Sequence, residues 1–262
     1  MSAWYRLSVA WQRLMHSSYE KNGVFMTEIL KAIIFGIVEG ITEWLPISST
    51  GHMILLNEFL TLDVSAQFWY MFLVVIQLGA ILAVVVLFWN LIWPFARSSS
   101  EAVVAAEQNE KSGSLVKREY WVLGPVTVRM PVIINWCKIV VSCLPAIVFV
   151  VLGLDETCDR LFYNPVCVAV ALIVFGVAFI LVENHNAAKQ ARVEQMRDIT
   201  FQMAILIGLF QLLAAAFPGT SRSGATIIGA LLIGVSRKAA SEFTFILAIP
   251  VTVSYTHLTL PT

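Results

Sequence analysis

Long runs of apolar residues alternate with short polar segments along this chain. Four runs, at residues 68–89, 132–152, 166–182 and 201–217, are long enough to cross roughly 30 Å of hydrocarbon as helices. The runs at 225–235 and 243–253 reach about half a span, and the run at 29–45 is interrupted by two glutamates. Because a backbone inside a membrane must satisfy its own hydrogen bonds, and the alternation of a β-barrel is lacking, the pattern predicts an all-α polytopic membrane protein.

Composition supports this fold class and narrows the range of partners. Of the 262 residues, 58% are hydrophobic and 13% are charged, whereas a soluble domain carries about 25% charged residues. The net charge is zero, and no basic stripe with interleaved aromatics is present, so the sequence indicates no nucleic-acid partner. The four cysteines lack CxxC spacing and are expected to be small core residues.

Two polar loops predict the orientation in the membrane. Residues 97–120 and 183–198 are polar and mixed in charge, fall on one face when the four spans are threaded in order, and together carry seven lysines and arginines. The opposite face carries the mostly acidic loops near Asp63 and at 155–160. By the positive-inside rule the basic face is cytoplasmic, which places the polar motifs at 47–52 and 218–223 toward the outer face.

The chain is expected to form a single membrane domain over residues 26–254. Residues 1–25 are interpreted as an N-terminal extension that lacks the features of a cleaved signal peptide, with Met26 as an alternative start. Residues 255–262 are interpreted as an atypical polar tail.

Two parts of the domain share a layout. Glu39 and Gln211 are each followed by a proline seven residues later and by a serine ten residues later. This spacing predicts two repeats, at about 28–95 and 200–254, with a binding site where the repeats meet. Chance similarity between apolar segments is the alternative.

Glu39 and Glu43 stand four residues apart and therefore share a helix face. Two ionised carboxylates in an apolar setting repel each other and lose hydration, so a proton, a divalent cation or Arg222 must compensate them. The alternative is an acidic pair exposed in a loop near the membrane surface.

Hydroxyl and imidazole groups follow this acidic pair directly after Pro46. A serine with a histidine three residues away has the ingredients of an activated nucleophile. The residues concerned are Ser48, Ser49, Thr50 and His52. Ser48 could instead be a helix N-cap, and His52 a structural histidine.

The segment "PGTSRSGAT" at 218–226 has the features of a phosphate site. An arginine among hydroxyls, with a helix beginning near a glycine, offers a bidentate cation and free backbone N–H groups. The expected phosphate-binding residues are Ser48, Thr50, Ser221, Arg222, Ser223, Gly224 and Thr226. The alternative is a structural ion pair between Arg222 and Glu39 or Glu43.

Three polar residues inside apolar segments are expected to support the site. Gln77 and Gln211 lie within predicted helices, where an amide usually bonds a neighbouring helix or a broken backbone. Glu242 precedes "ILA" by the same spacing as Gln77 and is assigned the same role.

These motifs together resemble one family. The segments "EGITEWLPISSTGHM", "VVIQLGAILAVV", "PGTSRSGAT" and "GVSRKAASEFTFILAIP" are similar to those of undecaprenyl-diphosphatases, the bacterial bacitracin-resistance proteins. The resemblance implies a bundle of two inverted repeats with re-entrant helices in the bacterial cytoplasmic membrane. It implies removal of the terminal phosphate from undecaprenyl diphosphate on the outer side, which recycles the lipid carrier for cell-wall synthesis.

The resemblance also implies residue roles. The catalytic set falls on Ser49, His52, Glu43 and Arg222, and a magnesium or calcium ion is implied at Glu39 and Glu43. The nucleophile is left open between Ser49, with His52 as base, and water. After residue 250 the chain departs from the family pattern, which leads us to expect a C-terminal truncation.

A transporter is the main alternative function. Duplicated halves with broken helices also occur in secondary carriers, and Arg222 could bind a polyprenyl phosphate for translocation. The expected partners are a polyprenyl diphosphate lipid and the membrane, with a homodimer left open.

Overall fold

The computed structural model describes residues 26–97, 120–123, 125–162, 164–187 and 189–259, and these are dominated by helices. The first helices are α1 at 26–42, α2 at Ser49–Phe59, α3 at Ala66–Leu87 and α4 at Trp89–Ile92. They are followed by α5 at Met130–Val151, α6 at Leu154–Phe162 and α7 at Pro165–Ala187. A 3-10 turn at Met196–Asp198 precedes α8 at Phe201–Ala216, α9 at Arg222–Leu232 and α10 at Arg237–Thr259. The predicted extension at 1–25 lies outside the described residues.

Three helices in the described part of the chain are long and apolar enough to cross a membrane. They are α3, α5 and α7, with mean hydropathies of 2.7, 2.1 and 2.9 over their most apolar stretches. The prediction of an α-helical membrane protein is therefore confirmed. The fourth predicted span is wrong, because α8 has 16 residues, about 24 Å, and the chain reverses direction after it.

Helices α1 and α2 form a hairpin whose open end is tied together by polar contacts. The ammonium of Lys31 donates to the carbonyl of Thr61 at 2.8 Å, and the Asp63 amide donates to Glu28 Oε2 at 3.1 Å. The start of α1 therefore lies beside the end of α2. The chain turns between them at residues 43–48, which we call the first reversal.

Helices α8 and α9 form a second hairpin of the same construction. The Ser236 amide donates to the carbonyl of Val193 at 2.7 Å, and the Arg192 amide donates to the carbonyl of Gly234 at 2.8 Å. These bonds join the segment before α8 to the segment after α9. The chain turns at residues 217–221, the second reversal.

Both reversals lead into helices of 11 residues, α2 and α9, that are capped by serine. The caps are Ser48 and Ser221. In the structure Ser48 is therefore equivalent to Ser221. The sequence spacing had instead paired Ser49 with Ser221, which differs by one residue. The physical reason is that capping geometry fixes where a helix begins, whereas motif spacing does not.

The second hairpin packs into the main apolar core, against α5 and α10. The first hairpin has a smaller core in which Phe35 meets Trp69 of α3 edge to face, with ring centroids 5.1 Å apart. Trp44, in the first reversal, contacts Phe245 of α10 at 5.0 Å. This contact and the packing of α3 on α10 connect the first hairpin to the helix that follows the second hairpin.

A small antiparallel sheet departs from the purely helical prediction. Strands β1 at Phe95–Arg97, β2 at Tyr120–Leu123 and β3 at Val126–Arg129 pair in the order β1-β3-β2. The loop predicted at 97–120 thus begins and ends in strands, while residues 98–119 lie outside the described part. Aromatic and β-branched residues in "YWVL" and "VTVR" favour strands locally.

The predicted half-span at 243–253 is also longer than expected. It lies inside α10, which continues through Thr259 and so includes the first part of the predicted tail.

The contact between α5 and α8 predicts a cost for substituting Gly208. A Cβ atom at this position would lie 2.2 Å from the backbone oxygen of Ser142, where no flexible side chain can yield. Gly208→Ala is expected to destabilise the protein by about 1–3 kcal/mol, measured as thermal unfolding in detergent. Gly36→Ala is the control, because a Cβ at Gly36 of α1 meets nothing within 4 Å. Equal unfolding temperatures for the two variants would contradict this close approach.

Candidate active site

The two reversals meet inside the protein. A Cβ atom built on Gly224 would lie 3.4 Å from Cβ of Pro46, so the first turn of α9 touches the first reversal. The N-termini of α2 and α9 are therefore close to each other, and each has unpaired backbone N–H groups in its first turn. Residues from the two halves of the sequence converge at this point.

An ion pair joins the two hairpins. Arg222 Nη2 donates to Glu43 Oε1 at 3.0 Å, and Arg222 Nη1 donates to the hydroxyl of Thr252 on α10 at 3.2 Å. The side chains of Glu43 and Arg222 are 9% and 24% exposed. The structure thus supplies Arg222 as the counter-charge that the sequence required for the acidic pair.

The second carboxylate oxygen of Glu43 accepts a hydrogen bond from Ser49, the candidate nucleophile of the sequence analysis. The Ser49 hydroxyl donates to Glu43 Oε2 at 2.5 Å. The Gln77 amide of α3 lies 3.5 Å from Glu43 Oε1, at the outer limit of a hydrogen bond. One carboxylate therefore contacts α2, α3 and α9 together, and we call Glu43, Ser49, Gln77 and Arg222 the polar cluster.

Glu39 lies next to this cluster without a cation of its own. Its side chain is buried and also interacts with the Ser49 hydroxyl. Within the described residues no lysine, arginine or histidine forms a salt bridge with Glu39. Two carboxylates thus face one guanidinium, and the excess negative charge needs a proton or a bound cation.

The chemistry of these groups fits a hard divalent cation. Carboxylate, hydroxyl and amide oxygens are the ligands that Mg²⁺ and Ca²⁺ prefer. In the described part of the chain, no group of three or more His, Cys, Asp or Glu side chains forms a closed metal cage. Mg²⁺ is commonly held by one or two carboxylates together with substrate phosphates, which is what Glu39 and Glu43 can offer.

His52 is not bonded to Ser49. Its Nδ1–H donates to the backbone carbonyl of Ser48 at 2.8 Å, while Ser49 turns toward Glu43. Ser48 is the N-cap of α2 and has a positive φ of 65°, a conformation that costs about 1–3 kcal/mol outside glycine. The Ser48 carbonyl accepts hydrogen bonds from both the backbone amide and the ring of His52, and these bonds stabilise that conformation.

The predicted phosphate-binding residues fall into two groups. Ser221, Ser223 and Gly224 lie at the start of α9, where the Ser221 hydroxyl caps the Gly224 amide and lies 3.1 Å from the Ser223 hydroxyl. Thr226 is fully buried, and its hydroxyl donates back to the Arg222 carbonyl in the first turn of α9. Thr50 is exposed on α2.

Of the three predicted supporting residues, only Gln77 reaches the polar cluster. Gln77 reaches Glu43, whereas Gln211 is buried in α8 and its Oε1 has no hydrogen-bond partner among the described residues. Glu242 lies 4.0 Å from Lys238 and is roughly 15 Å along α10 from Thr252, so it does not reach the polar cluster.

Sequence reasoning missed two threonines on α10. Thr252 binds the head of Arg222, and the Thr244 hydroxyl donates to Thr226, which in turn bonds the Arg222 carbonyl. Both are buried hydroxyls in an apolar helix. That pattern, already used to select Gln77 and Gln211, could have identified them.

A cavity of about 190 Å³ adjoins the site between the reversals and α7. Ser48 and Ser221 line its polar end, and Phe175 and Phe179 of α7 line its apolar wall. Glu43 and Arg222 do not line it. The cavity therefore shares the caps of α2 and α9 with the site but not the charged side chains.

Comparison with known proteins decides the family. The sequence profile described as "Bacitracin resistance protein BacA" matches residues 32–261, which is most of the chain. The chain belongs to the BacA family. The match continues past residue 250, where the motif resemblance ended.

Several curated relatives are close to this BacA-family chain. It is 53% identical to "Undecaprenyl-diphosphatase 1" of Clostridium acetobutylicum over 224 residues, covering 86% of this chain and 72% of the relative. It is 54% identical to the "Undecaprenyl-diphosphatase" of Desulfitobacterium hafniense over 226 residues, with the same coverage. The protein of that name from Enterococcus faecalis is 51% identical over 223 residues, covering 85% and 72%.

The contact between Thr252 and Arg222 predicts a kinetic effect. Thr252→Val keeps the shape but removes the acceptor for Arg222 Nη1, and hydrogen bonds to charged groups contribute about 1.5–3 kcal/mol. The rate of phosphate release from a prenyl diphosphate is expected to fall about tenfold in kcat/KM. Thr252→Ser, which restores the hydroxyl, should recover most of the rate. An equal loss in both variants would show that packing, rather than the hydroxyl, is responsible.

Proposed function

We propose that this BacA-family protein hydrolyses undecaprenyl diphosphate to undecaprenyl phosphate and inorganic phosphate, and thereby confers bacitracin resistance. The observation that carries the proposal is the ion pair between Arg222 and Glu43, with Ser49 bonded to the same carboxylate. A nucleophile, a base and a guanidinium within one polar cluster are the groups that phosphoryl transfer requires. The names of the relatives supply the substrate.

In the proposed reaction Ser49 attacks the terminal phosphorus. Glu43 Oε2 accepts the hydroxyl proton, because it already receives the hydrogen bond from Ser49. A bond from Ser49 Oγ to phosphorus forms, and the bond to the bridging oxygen breaks, so that undecaprenyl phosphate leaves with the electron pair. Water then releases phosphate and regenerates Ser49. Direct attack by water activated by Glu43 is the alternative.

Arg222 has the donors to bind the reacting phosphate. Glu43 and Thr252 engage one N–H from each terminal nitrogen, which leaves Nε–H and the remaining N–H groups for phosphate oxygens. The N-termini of α2 and α9 add backbone N–H groups and positive dipole ends. Ser221 and Ser223, at the N-terminus of α9, can donate hydroxyl hydrogen bonds to the diphosphate.

A divalent cation held by Glu39 and Glu43 would supply positive charge to the phosphate oxygens. Glu39 lies in the last turn of α1 and Glu43 begins the first reversal, where the Glu43 amide donates to the Glu39 carbonyl at 2.9 Å, so the two residues lie one helical turn apart. When a diphosphate binds, one guanidinium is too little charge to balance two carboxylates and the substrate. The proposal therefore predicts that turnover depends on Mg²⁺ or Ca²⁺.

The arrangement of the hairpins supports inverted, re-entrant repeats. Each hairpin returns to the side from which it enters, because its ends are bonded together. Three spans, α3, α5 and α7, lie between the two hairpins, so their open ends face opposite sides of the membrane. The loop at 183–198, with Lys189, Arg192 and Arg197, adjoins the second open end, and under the positive-inside rule this end is proposed to face the cytoplasm. The proposed location is the bacterial inner membrane, with the site open to the outer side.

The direct test is phosphate release by purified protein in detergent. With farnesyl or undecaprenyl diphosphate and Mg²⁺ or Ca²⁺, we expect equal amounts of inorganic phosphate and prenyl monophosphate, and none after chelation. Binding of the lipid with no phosphate release would reject the proposal. That result would favour the alternative of a polyprenyl-phosphate carrier.

Two variants test the nucleophile and its base. Ser49→Ala is expected to lower kcat by about 10²–10⁴, because both the attacking oxygen and its bond to Glu43 are lost. His52→Ala is expected to have a much smaller effect, because the His52 ring bonds the Ser48 carbonyl instead of Ser49. Steady-state rates with farnesyl diphosphate measure both. A loss in His52→Ala as large as that in Ser49→Ala would assign the base to His52.

A further inference from the structure

The cavity between the reversals and α7 has one apolar wall formed by a single helix face. Leu172, Phe175, Gly176 and Phe179 follow one another at spacings of three, one and three residues, so they form one stripe along α7. The opposite wall is formed by the two reversals and carries the hydroxyl-bearing caps of α2 and α9. A ligand in this cavity would therefore meet hydroxyl groups at one end and hydrocarbon at the other.

The size of the cavity matches a small hydrocarbon group. An apolar cavity of about 150 Å³ in a protein holds benzene. At about 190 Å³, this cavity has room for a five-carbon isoprene unit but not for a long folded chain.

The surroundings of α7 provide a way out for the remainder of a lipid chain. Beside the cavity stripe, Ile173 and Val177 are 67% and 52% exposed. Only 6% of the most apolar stretch of α7 is buried among the described residues, so most of its apolar surface is uncovered there. A chain leaving the cavity along α7 would enter hydrocarbon without crossing the charged side chains.

We propose that this cavity binds the isoprene unit that adjoins the diphosphate, and that Gly176 keeps the cavity open. This inference rests on the proposed function. The caps Ser48 and Ser221 link the cavity to the start of α9, where Arg222 would hold the phosphates. Gly176 is decisive because a Cβ atom built on it meets nothing within 4 Å, so its hydrogen faces open space on the cavity stripe. A larger side chain at this position would fill the cavity without moving the backbone.

The test compares two substrates that share a diphosphate but differ in the hydrocarbon. Gly176→Leu is expected to lower the ratio of kcat/KM for farnesyl diphosphate to that for methyl diphosphate by about tenfold or more, because the first isoprene unit loses its apolar contacts. Val174→Leu is the matched control, because Val174 of α7 is 57% exposed and lies on the side of the helix opposite the stripe. It should keep the wild-type ratio.

A binding measurement separates this inference from the proposed reaction. Farnesyl phosphate in detergent should raise the unfolding temperature of the wild type and of Val174→Leu, and should raise that of Gly176→Leu by less than half as much. The proposal is overturned if Gly176→Leu keeps both the ratio and the stabilisation, or if farnesyl phosphate fails to stabilise the wild type. An equal loss with both diphosphates would also overturn it, because Gly176 would then act on the phosphate site. If the wild type cleaves neither diphosphate, the proposed reaction fails, and the stabilisation alone decides whether the cavity binds the lipid.

Discussion

Replacing Arg222 with lysine is expected to reduce kcat for phosphate release about 10³-fold while leaving the protein folded. Lysine keeps the positive charge that the buried Glu43 requires, so the large penalty for an unpaired buried charge is avoided. It cannot bind Glu43, Thr252 and a phosphate at once, because an ammonium lacks the planar fork of a guanidinium. Positioned charge is the main source of catalysis in phosphoryl transfer, so the loss should appear in turnover.

The measurement is the steady-state rate with farnesyl diphosphate, together with unfolding temperature and elution in detergent. Arg237→Lys is the matched control, because Arg237 pairs with Glu183 and is 56% exposed. It should change kcat by less than about twofold. If Arg222→Lys retained more than a tenth of the wild-type rate, Arg222 would be a structural ion-pair partner and the proposed mechanism would fail.

Changing Glu43 to glutamine should have the second large effect, a loss of about 10²–10⁴ in kcat. Glutamine can still accept a hydrogen bond from Arg222, but it cannot take the proton of Ser49 or contribute charge to a cation. The free energy of unfolding should also fall, since a buried ion pair is broken. The contribution of Glu43 to cation binding is tested by measuring rates across a series of Mg²⁺ concentrations. The variant should need a higher Mg²⁺ concentration to reach half of its maximal rate.

Two further variants give this prediction its controls. Glu242→Gln makes the same chemical change outside the polar cluster, near Lys238, and should leave kcat close to wild type. The double variant Glu43→Gln/Arg222→Lys should lose much less than the product of the single losses, because the two residues act through one contact. Full additivity of the two losses would mean that the ion pair has no catalytic role.

The sequence predicted the contact between the two charged motifs better than it predicted the fold around them. Glu39 and Glu43 form an acidic pair, and Arg222 lies in an apolar segment, where burying a charge is energetically costly. The sequence therefore indicated that these opposite charges compensate one another. That electrostatic reasoning holds in the structure, where Arg222 and Glu43 meet. It succeeds because a charge in hydrocarbon allows few partners, so the sequence alone restricts the answer.

Other features could not be obtained from local patterns. The apolar run at 201–217 has the length of a span, and only the bonds between 192–193 and 234–236 reveal that it is one limb of a hairpin. His52 lies three residues from Ser49 in sequence, but capping by Ser48 turns its ring to a backbone carbonyl. Such choices depend on helix starts and long-range contacts, which hydropathy does not encode.

The ion pair between Glu43 and Arg222 joins residues 179 positions apart in the chain. During synthesis the first hairpin therefore leaves the ribosome well before its counter-ion exists. Before α9 is made, Glu43 can contact Ser49 and Gln77 but lacks the guanidinium that balances its charge. Assembly of the polar cluster is thus ordered, because it is complete only after α9 has joined the first hairpin.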